Sequence, residues 1–181
     1  MGVMDKFLNY MKLNGEDDDV NAKEFREFFS QSYDYSKKSD VYKNLDAVMI
    51  CGDMTDWGRE IEYAAFSRII SEECPDGTEM LVCMGNHEFI EERETEGINA
   101  FDNYRKYVYE NVDTHEIING YHFIGLSYSD KDENYSSEKI DWLKAELDKA
   151  VADTGDKPVF VFQHPHPTLT VYGSINWSEI T

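Results

Sequence analysis

Two short apolar runs, each followed by a glycine and a polar residue, constrain the fold of this chain more than any other feature. Ala47–Cys51 leads into Gly52-Asp53, and Met80–Met84 leads into Gly85-Asn86-His87-Glu88. A helical pattern opens after Gly58 and fills the space between the two runs. Strand, helix and strand in so short a stretch predict a parallel βαβ unit, and the glycines allow sharp turns where the strands end.

The remaining periodicity predicts further helices and strands around this unit. Helical patterns cover Met4–Met11, Ala22–Tyr33 and Ile98–Val112, and residues 89–97 suit a charged loop or a frayed helix. Next come a hairpin over 115–126 around Asn119-Gly120, a helix from Ser136 to Thr154, and a buried strand at Val159–Phe162. No repeat or linker divides the chain, so residues 1–181 are predicted to form a single α/β domain.

The acidic composition limits the partners that we expect. Seventeen Lys and Arg residues against 37 Asp and Glu residues give a formal net charge of −20. A field of that sign repels nucleic acid and anionic membranes, so we expect neither as a partner. Bound divalent cations reverse the sign locally, so a small phosphate-ester substrate is compatible with the composition. The sequence leaves the oligomeric state open.

The sequence also bears on the compartment. Cys51, Cys74 and Cys83 have irregular spacing, which favours reduced thiols over a disulfide framework. The chain has no signal-peptide pattern and no apolar run of about 18 residues. We therefore expect a cytoplasmic protein, and we leave open whether a signal precedes Met1.

Three predicted strands deliver polar groups at their carboxyl ends. Asp53 follows the first strand, Asn86 and His87 follow the second, and His164 follows the strand that begins at Val159. In open α/β sheets, ligands bind at this edge because the loops converge there. Carboxylate, amide oxygen and imidazole together suit manganese, iron or zinc. The sequence therefore predicts a catalytic metal site at this edge.

These stretches resemble the calcineurin-like metallophosphoesterase superfamily. Its signature has five parts: D-x-H, G-D, G-N-H-E or G-N-H-D, a single His after a strand, and G-H-x-H. The three middle parts occur here in order, as Gly52-Asp53, Gly85–Glu88 and His164. The resemblance implies an α/β/β/α sandwich, two divalent metal ions, and hydrolysis of a phosphate ester by attack of a metal-bound hydroxide.

The resemblance also implies a role for each matching residue. Asp53 would bridge both ions, and Asn86 and His164 would bind the second one. His87 would contact the phosphate and protonate the leaving oxygen as general acid. Asp56 matches the carboxylate that pairs with this histidine in phosphoprotein phosphatases, where such a partner fixes the imidazole tautomer. A structural cap is the other interpretation of Asp56.

Two parts of the signature are missing. No strand ending in D-x-H precedes Asp53, and Asp113-Thr114-His115 fits the letters but comes after the G-N-H-E part. His164-Pro165-His166 has the spacing of the last part, but Gln163 replaces its glycine, so we prefer the single-His interpretation. These gaps predict an incomplete sandwich, truncated at both ends, that holds one ion or none firmly and turns over little substrate.

One further difference from the phosphoprotein phosphatases narrows the expected substrate class. Phosphoprotein phosphatases carry G-D-x-V-D-R-G, whereas Trp57 stands here in place of the arginine and Arg59 lies two residues further on. A phosphomonoesterase or phosphodiesterase is therefore expected rather than a protein phosphatase. The substrate, the choice between these two activities and the native metals stay open.

Non-catalytic interpretations compete with the catalytic one. The alternative to an enzyme is a pseudoenzyme, a binding module or an inactive fragment of the same fold. Glu88 is interpreted as a support for its turn, outside the catalytic set, and Glu91–Glu96 as a solvated loop or a lid. His115 and His122 are expected to be surface or sheet residues. His166 is expected to be a loop residue, a contact of the metal ligands or a contact of the substrate.

Overall fold

The computed structural model describes residues 12–16, 19–41, 44–167 and 170 of the chain. Within them, the helices are α1 (Val20–Lys38), α2 (Glu60–Glu73), α3 (Ile90–Glu94), α4 (Ala100–Tyr107) and α5 (Ser137–Thr154). The strands are β1 (Ala47–Cys51), β2 (Glu79–Cys83), β3 (Thr114–Ile118), β4 (Tyr121–Leu126) and β5 (Val159–Gln163). A 3₁₀ turn over His87–Phe89 leads directly into α3. The predicted helix at Met4–Met11 lies outside the described residues.

The strands form two sheets. β1 and β2 pair in parallel, so that Cys51 lies opposite Cys83. In the second sheet β3 pairs antiparallel with β4, and β5 pairs parallel with β4. Asn119 and Gly120 join the hairpin with positive φ angles of 53° and 75°, the backbone geometry that Asn-Gly favours in tight hairpin turns. The predicted βαβ unit and hairpin are thus confirmed.

The elements stack in four layers. In the larger core, residues of α1, α2 and α4 pack against β1 and β2. Between the sheets, Leu81 and Cys83 pack with Phe162. Successive strand residues point to opposite faces, so Phe123 joins this inner cluster while His122 contacts α5 through Asp153 on the outer face. The order helix, sheet, sheet, helix agrees with the predicted α/β class.

The structure differs from the predictions in two places. The predicted helix over Ile98–Val112 is too long, because α4 begins after the Asn99 cap and ends where Val108 turns to φ −118° and ψ −82°. The carboxamide oxygen of Asn99 accepts the Phe101 amide at 2.9 Å. The second difference is at Leu13, which forms an isolated parallel bridge with Thr55 where no strand was predicted. Among the helices that the structure describes, none has both the length and the apolar character to cross a membrane.

Candidate metal centre

The centre lies where β1 and β2 end, and glycines let the two following loops approach each other. Gly52 has φ 84° and Asp53 has φ 55°, so the chain turns sharply after β1. A Cβ atom at Gly85 would lie 2.4 Å from Asp53 Oδ1 and 2.8 Å from His164 Nδ1. Only a residue without a side chain fits between these two groups. The two glycines of the sequence pattern therefore make room for the polar residues beside them.

Three side chains converge at this point, as the sequence predicts. His164 Nε2 lies 3.0 Å from Asn86 Oδ1 and 3.4 Å from Asp53 Oδ1. His164 Nδ1 lies 2.8 Å from the carbonyl oxygen of Cys51, an acceptor only, so Nδ1 carries the proton of the neutral ring. The Nε2 lone pair and the two oxygens then form a group of acceptors, which a cation satisfies.

This donor set fits a divalent ion. Histidines that bind metals generally donate their other ring N–H to a carbonyl or carboxylate, as His164 does to Cys51. Of the three residues in the set, two are acidic or imidazole side chains, Asp53 and His164. In the part of the chain that the structure describes, there is no group of three or more His, Cys, Asp or Glu side chains that could hold a metal ion. Asn86 supplies the third donor. The ligand roles of these residues stay predictions.

His115 and His122 lie apart from this set. His115, the last residue of the D-x-H-like stretch, lies 2.7 Å from Glu146 Oε2 and 2.7 Å from His122 Nδ1, on the outer face of the second sheet. His122 is 2% exposed. His166 is half-buried in the loop after β5. The D-x-H-like stretch is therefore not part of the centre.

Glu88 holds the two loops together from beneath. Its side chain is fully buried, and its Oε2 accepts the amides of Asp53 at 2.8 Å and Gly85 at 2.6 Å. Its Oε1 accepts both the amide and the hydroxyl of Thr55 at 2.9 Å. Burial, followed by the charge of Asp53, raises the pKa of Glu88, while the hydrogen bonds from Thr55 and Gly85 oppose this rise. Glu88 is a support of the site, as the sequence predicts.

His87 lies at the edge of the centre in a defined tautomer. Its Nδ1 lies 2.7 Å from the carbonyl oxygen of Asp56, so Nδ1 donates, and its Nε2 lies 2.8 Å from the Lys12 ammonium, so Nε2 accepts. The Asp56 carboxylate is further away, with Oδ1 at 3.7 Å from Nδ1. The backbone of Asp56 therefore makes the closest contact, where the resemblance implies the side chain.

Lys12 is the residue that sequence reasoning missed. Its Nζ lies 4.0 Å from Asp53 Oδ2 in addition to its contact with His87. A single lysine 41 positions before Asp53 carries no signal in a linear pattern. The bridge between Leu13 and Thr55 brings it to the centre, and only the folded chain reveals that bridge.

Two arginines near the centre are held by other partners. The Arg59 guanidinium stacks on the Trp57 ring, with Cζ 4.6 Å from the ring centroid. Arg93 contacts Glu133 at 2.9 Å and the carbonyl oxygen of Lys131 at 2.6 Å, which ties α3 to the loop before α5. Its Nη1 also lies 3.4 Å from the Asn86 carbonyl oxygen, so it supports the loop that presents Asn86.

Comparison with known families agrees with this geometry. The family model described as calcineurin-like phosphoesterase matches residues 18–179, which is most of the chain. The chain belongs to the calcineurin-like phosphoesterase family. No curated protein matches it. Membership indicates metal-dependent phosphoester hydrolysis as the general chemistry and confirms the family that the motifs around Asp53, Asn86 and His164 suggested.

Proposed function

We propose that this chain is a phosphomonoesterase or phosphodiesterase in which Asp53, Asn86 and His164 hold a divalent ion and His87 protonates the leaving oxygen. The observation that carries the proposal is the convergence of three acceptor atoms, with His164 Nε2 at 3.0 Å from Asn86 Oδ1 and 3.4 Å from Asp53 Oδ1. Each comes from a different strand end, and family membership supports the same chemistry. Manganese, iron and zinc all suit this donor set.

The residues of the chain orient the groups that react. When bound, the ion supplies Lewis-acid polarisation of the phosphoryl group and a water of lowered pKa. The backbone carbonyl of Cys51 fixes the His164 ring with Nε2 facing the ion position. Asp53 Oδ1 accepts the His87 amide at 3.1 Å, which joins the ligand loop to the proton donor. His87 and the ligands thus form one connected unit.

Proton delivery requires a rearrangement at His87. Its Nε2 accepts from Lys12 at 2.8 Å, and an Nε2 that carries a proton would place two donors face to face. His87 can therefore serve as an acid once the ammonium has moved to another acceptor and Nε2 has taken up a proton from solvent water. The carbonyl of Asp56 stays bound to Nδ1 in both states and keeps the ring oriented toward the substrate.

A small phosphate ester is the substrate class that the residues favour over a phosphoprotein. The position of the phosphate-binding arginine of phosphoprotein phosphatases is occupied by Trp57. Arg59 lies two residues further on, and its guanidinium lies over the Trp57 ring. The net charge of −20 also disfavours long polyanions as substrates.

The proposal is tested with phenyl phosphate and an aryl phosphodiester, each assayed with Mn²⁺ and with a chelator. We expect slow hydrolysis of at least one ester that requires Mn²⁺ and is abolished by Asp53→Asn. Asp148→Asn, an exposed acid on α5, is the matched control and should keep the wild-type rate. If Mn²⁺ binds but neither ester is hydrolysed, the chain is a binding module of this fold, and the catalytic proposal is wrong.

A further inference from the structure

Lys12 is held firmly at the centre although it lies far from it in sequence. The next residue, Leu13, is 1% exposed and makes two backbone hydrogen bonds, from its amide to the Met54 carbonyl at 3.3 Å and from the Asp56 amide to its carbonyl at 3.0 Å. The carbonyl of Lys12 itself accepts the Asn21 side-chain amide at 2.8 Å. The backbone at Lys12 is therefore fixed from both sides.

The two oxygens of Asp53 face two different cationic positions. Oδ1 lies beside His164 Nε2 at 3.4 Å and belongs to the ion position described above. Oδ2 faces the Lys12 ammonium at 4.0 Å. An ammonium at that distance is a long contact for an ion pair, so Lys12 is not fully engaged by Asp53 and keeps donor capacity.

The Lys12 side chain remains open to a ligand. It is 35% exposed, and the Asp53 side chain is 22% exposed. A lysine ammonium has three N–H donors, and the contact with His87 Nε2 uses one of them. The nearby arginines have other contacts, because Arg59 stacks on Trp57 and Arg93 is bound to Glu133.

From these contacts we infer that Lys12 is the second cation of the centre and binds a non-bridging phosphoryl oxygen of the substrate. The inference rests on the proposed function, because it assigns the phosphate-binding group of that same site. One divalent ion on the Oδ1 side of Asp53 and the ammonium on its Oδ2 side then flank the phosphoryl group. Movement of the ammonium onto the phosphate also releases His87 Nε2, which the proton transfer requires.

A merely structural role is the competing explanation. In that case Lys12 serves only to hold the His87 ring, and the phosphate affinity of Lys12→Met stays close to that of the wild type. A substrate-binding ammonium next to Asp53 predicts a clear loss of phosphate affinity. Loss of the positive charge weakens phosphate binding, and it strengthens binding of a divalent ion because a repulsive charge 4.0 Å from Asp53 Oδ2 is gone.

The test measures inorganic phosphate and Mn²⁺ binding by calorimetry for the wild-type chain and for Lys12→Met, Lys12→Arg and Lys144→Met. Lys144 is an exposed lysine on α5 and serves as the matched control. We expect Lys12→Met to bind phosphate about tenfold more weakly and Mn²⁺ more tightly, with Lys12→Arg restoring much of the phosphate affinity. Circular dichroism verifies that each variant is folded.

The outcomes separate this inference from the proposed function. Unchanged phosphate affinity in Lys12→Met, or two Mn²⁺ ions bound per wild-type chain, overturns the role of Lys12 while leaving metal-dependent hydrolysis intact. If the wild-type chain binds no Mn²⁺, the proposed function fails, and phosphate titration of the metal-free chain still tests Lys12. Absence of any phosphate binding by the metal-free and Mn²⁺-treated chains also overturns the inference.

Discussion

The Glu88 carboxylate accepts the backbone amide of Asp53 at 2.8 Å, and this hydrogen bond connects the loop after β2 to the loop after β1. With the amide of Gly85 and both donors of Thr55, four hydrogen bonds converge on one buried side chain. The proposed metal ligands Asp53 and Asn86 thus lie in loops that a buried residue outside the proposed ligand set holds together. The position of Asp53 depends on Glu88 as directly as on its own strand.

Glu88→Gln should destabilise the fold and weaken ion binding together. Each carboxylate oxygen accepts at least one backbone amide, so either orientation of a glutamine places its NH₂ group against a backbone N–H that cannot accept: Thr55 at one oxygen, or Asp53 and Gly85 at the other. We expect a loss of about 2–3 kcal/mol in the free energy of unfolding, measured by urea denaturation. Glu110→Gln, on the surface, is the control and should change little. Wild-type stability in Glu88→Gln would contradict the support role.

Gly52→Ala should weaken Mn²⁺ binding by more than backbone strain alone explains. Gly77→Ala is the control that carries the backbone strain without the close contacts. The two glycines have φ angles of 84° and 83°, so a Cβ atom costs similar strain at either position. At Gly77 it meets nothing within 4 Å, whereas at Gly52 it lies 2.5 Å from the Gly85 amide nitrogen and 2.8 Å from His164 Nδ1. We expect at least about tenfold weaker Mn²⁺ binding for Gly52→Ala alone. Equal Mn²⁺ affinities would show that the close approach is not required.

His87→Asn and Asp56→Asn should have unequal effects on hydrolysis. His87→Asn removes the proposed general acid, which should lower the rate by about 10²–10⁴-fold. The loss should be larger for phenyl esters than for nitrophenyl esters, because the nitrophenolate leaving group needs no proton. Asp56→Asn keeps the backbone carbonyl that contacts His87 Nδ1 at 2.7 Å and should stay within about tenfold of wild type. A large loss in Asp56→Asn would assign the main role to the carboxylate at 3.7 Å instead.

The elements that the sequence predicts well are those with local signals. The apolar runs of β1 and β2, the Asn119-Gly120 turn and the Ser136 cap each depend on neighbouring residues alone, and each forms as expected. Asp53 and Asn86 come together because the ends of the parallel strands β1 and β2 meet at one sheet edge, and β5 of the second sheet brings His164 to the same point.

The parts that could not be predicted depend on long-range contacts. Lys12 reaches the centre through the isolated bridge between Leu13 and Thr55, which no periodicity of the sequence predicts. Whether the carbonyl or the carboxylate of Asp56 contacts His87 Nδ1 depends on the direction of the backbone after the turn at Gly52. The early end of α4 reflects tertiary packing, since the Tyr109 hydroxyl bonds to the carbonyl of Met80 on β2.

The contact between α5 and the second sheet should depend on pH through Glu146. The hydrogen bond from Lys149 contributes most to lowering the pKa of Glu146, and the hydrogen bond from His115 lowers it further. A carboxyl whose pKa is lower in the folded state stabilises the fold above its ordinary pKa of about 4.3, and this stabilisation is lost as the pH falls through the folded value. Glu146→Gln should therefore melt about 2–4 °C below wild type at pH 7, which corresponds to about 1 kcal/mol.

The same difference should shrink as the pH falls below about 4, because the wild-type carboxyl then also becomes neutral. Thermal unfolding followed by circular dichroism at several pH values measures it. Asp148→Asn, exposed on the same helix, should melt like the wild type at each pH. A difference that is independent of pH would assign the contribution of Glu146 to packing rather than to its charge.

The most direct test of the central claim is a Mn²⁺ titration, followed by electron paramagnetic resonance, of the wild-type chain, His164→Ala and His115→Ala. His115 lies on the outer face of the second sheet and controls for the loss of an imidazole elsewhere. The account predicts one bound ion per wild-type chain, at least about tenfold weaker binding in His164→Ala, and wild-type affinity in His115→Ala. Mn²⁺ binding that His164→Ala leaves unchanged would place the ion elsewhere and contradict the account.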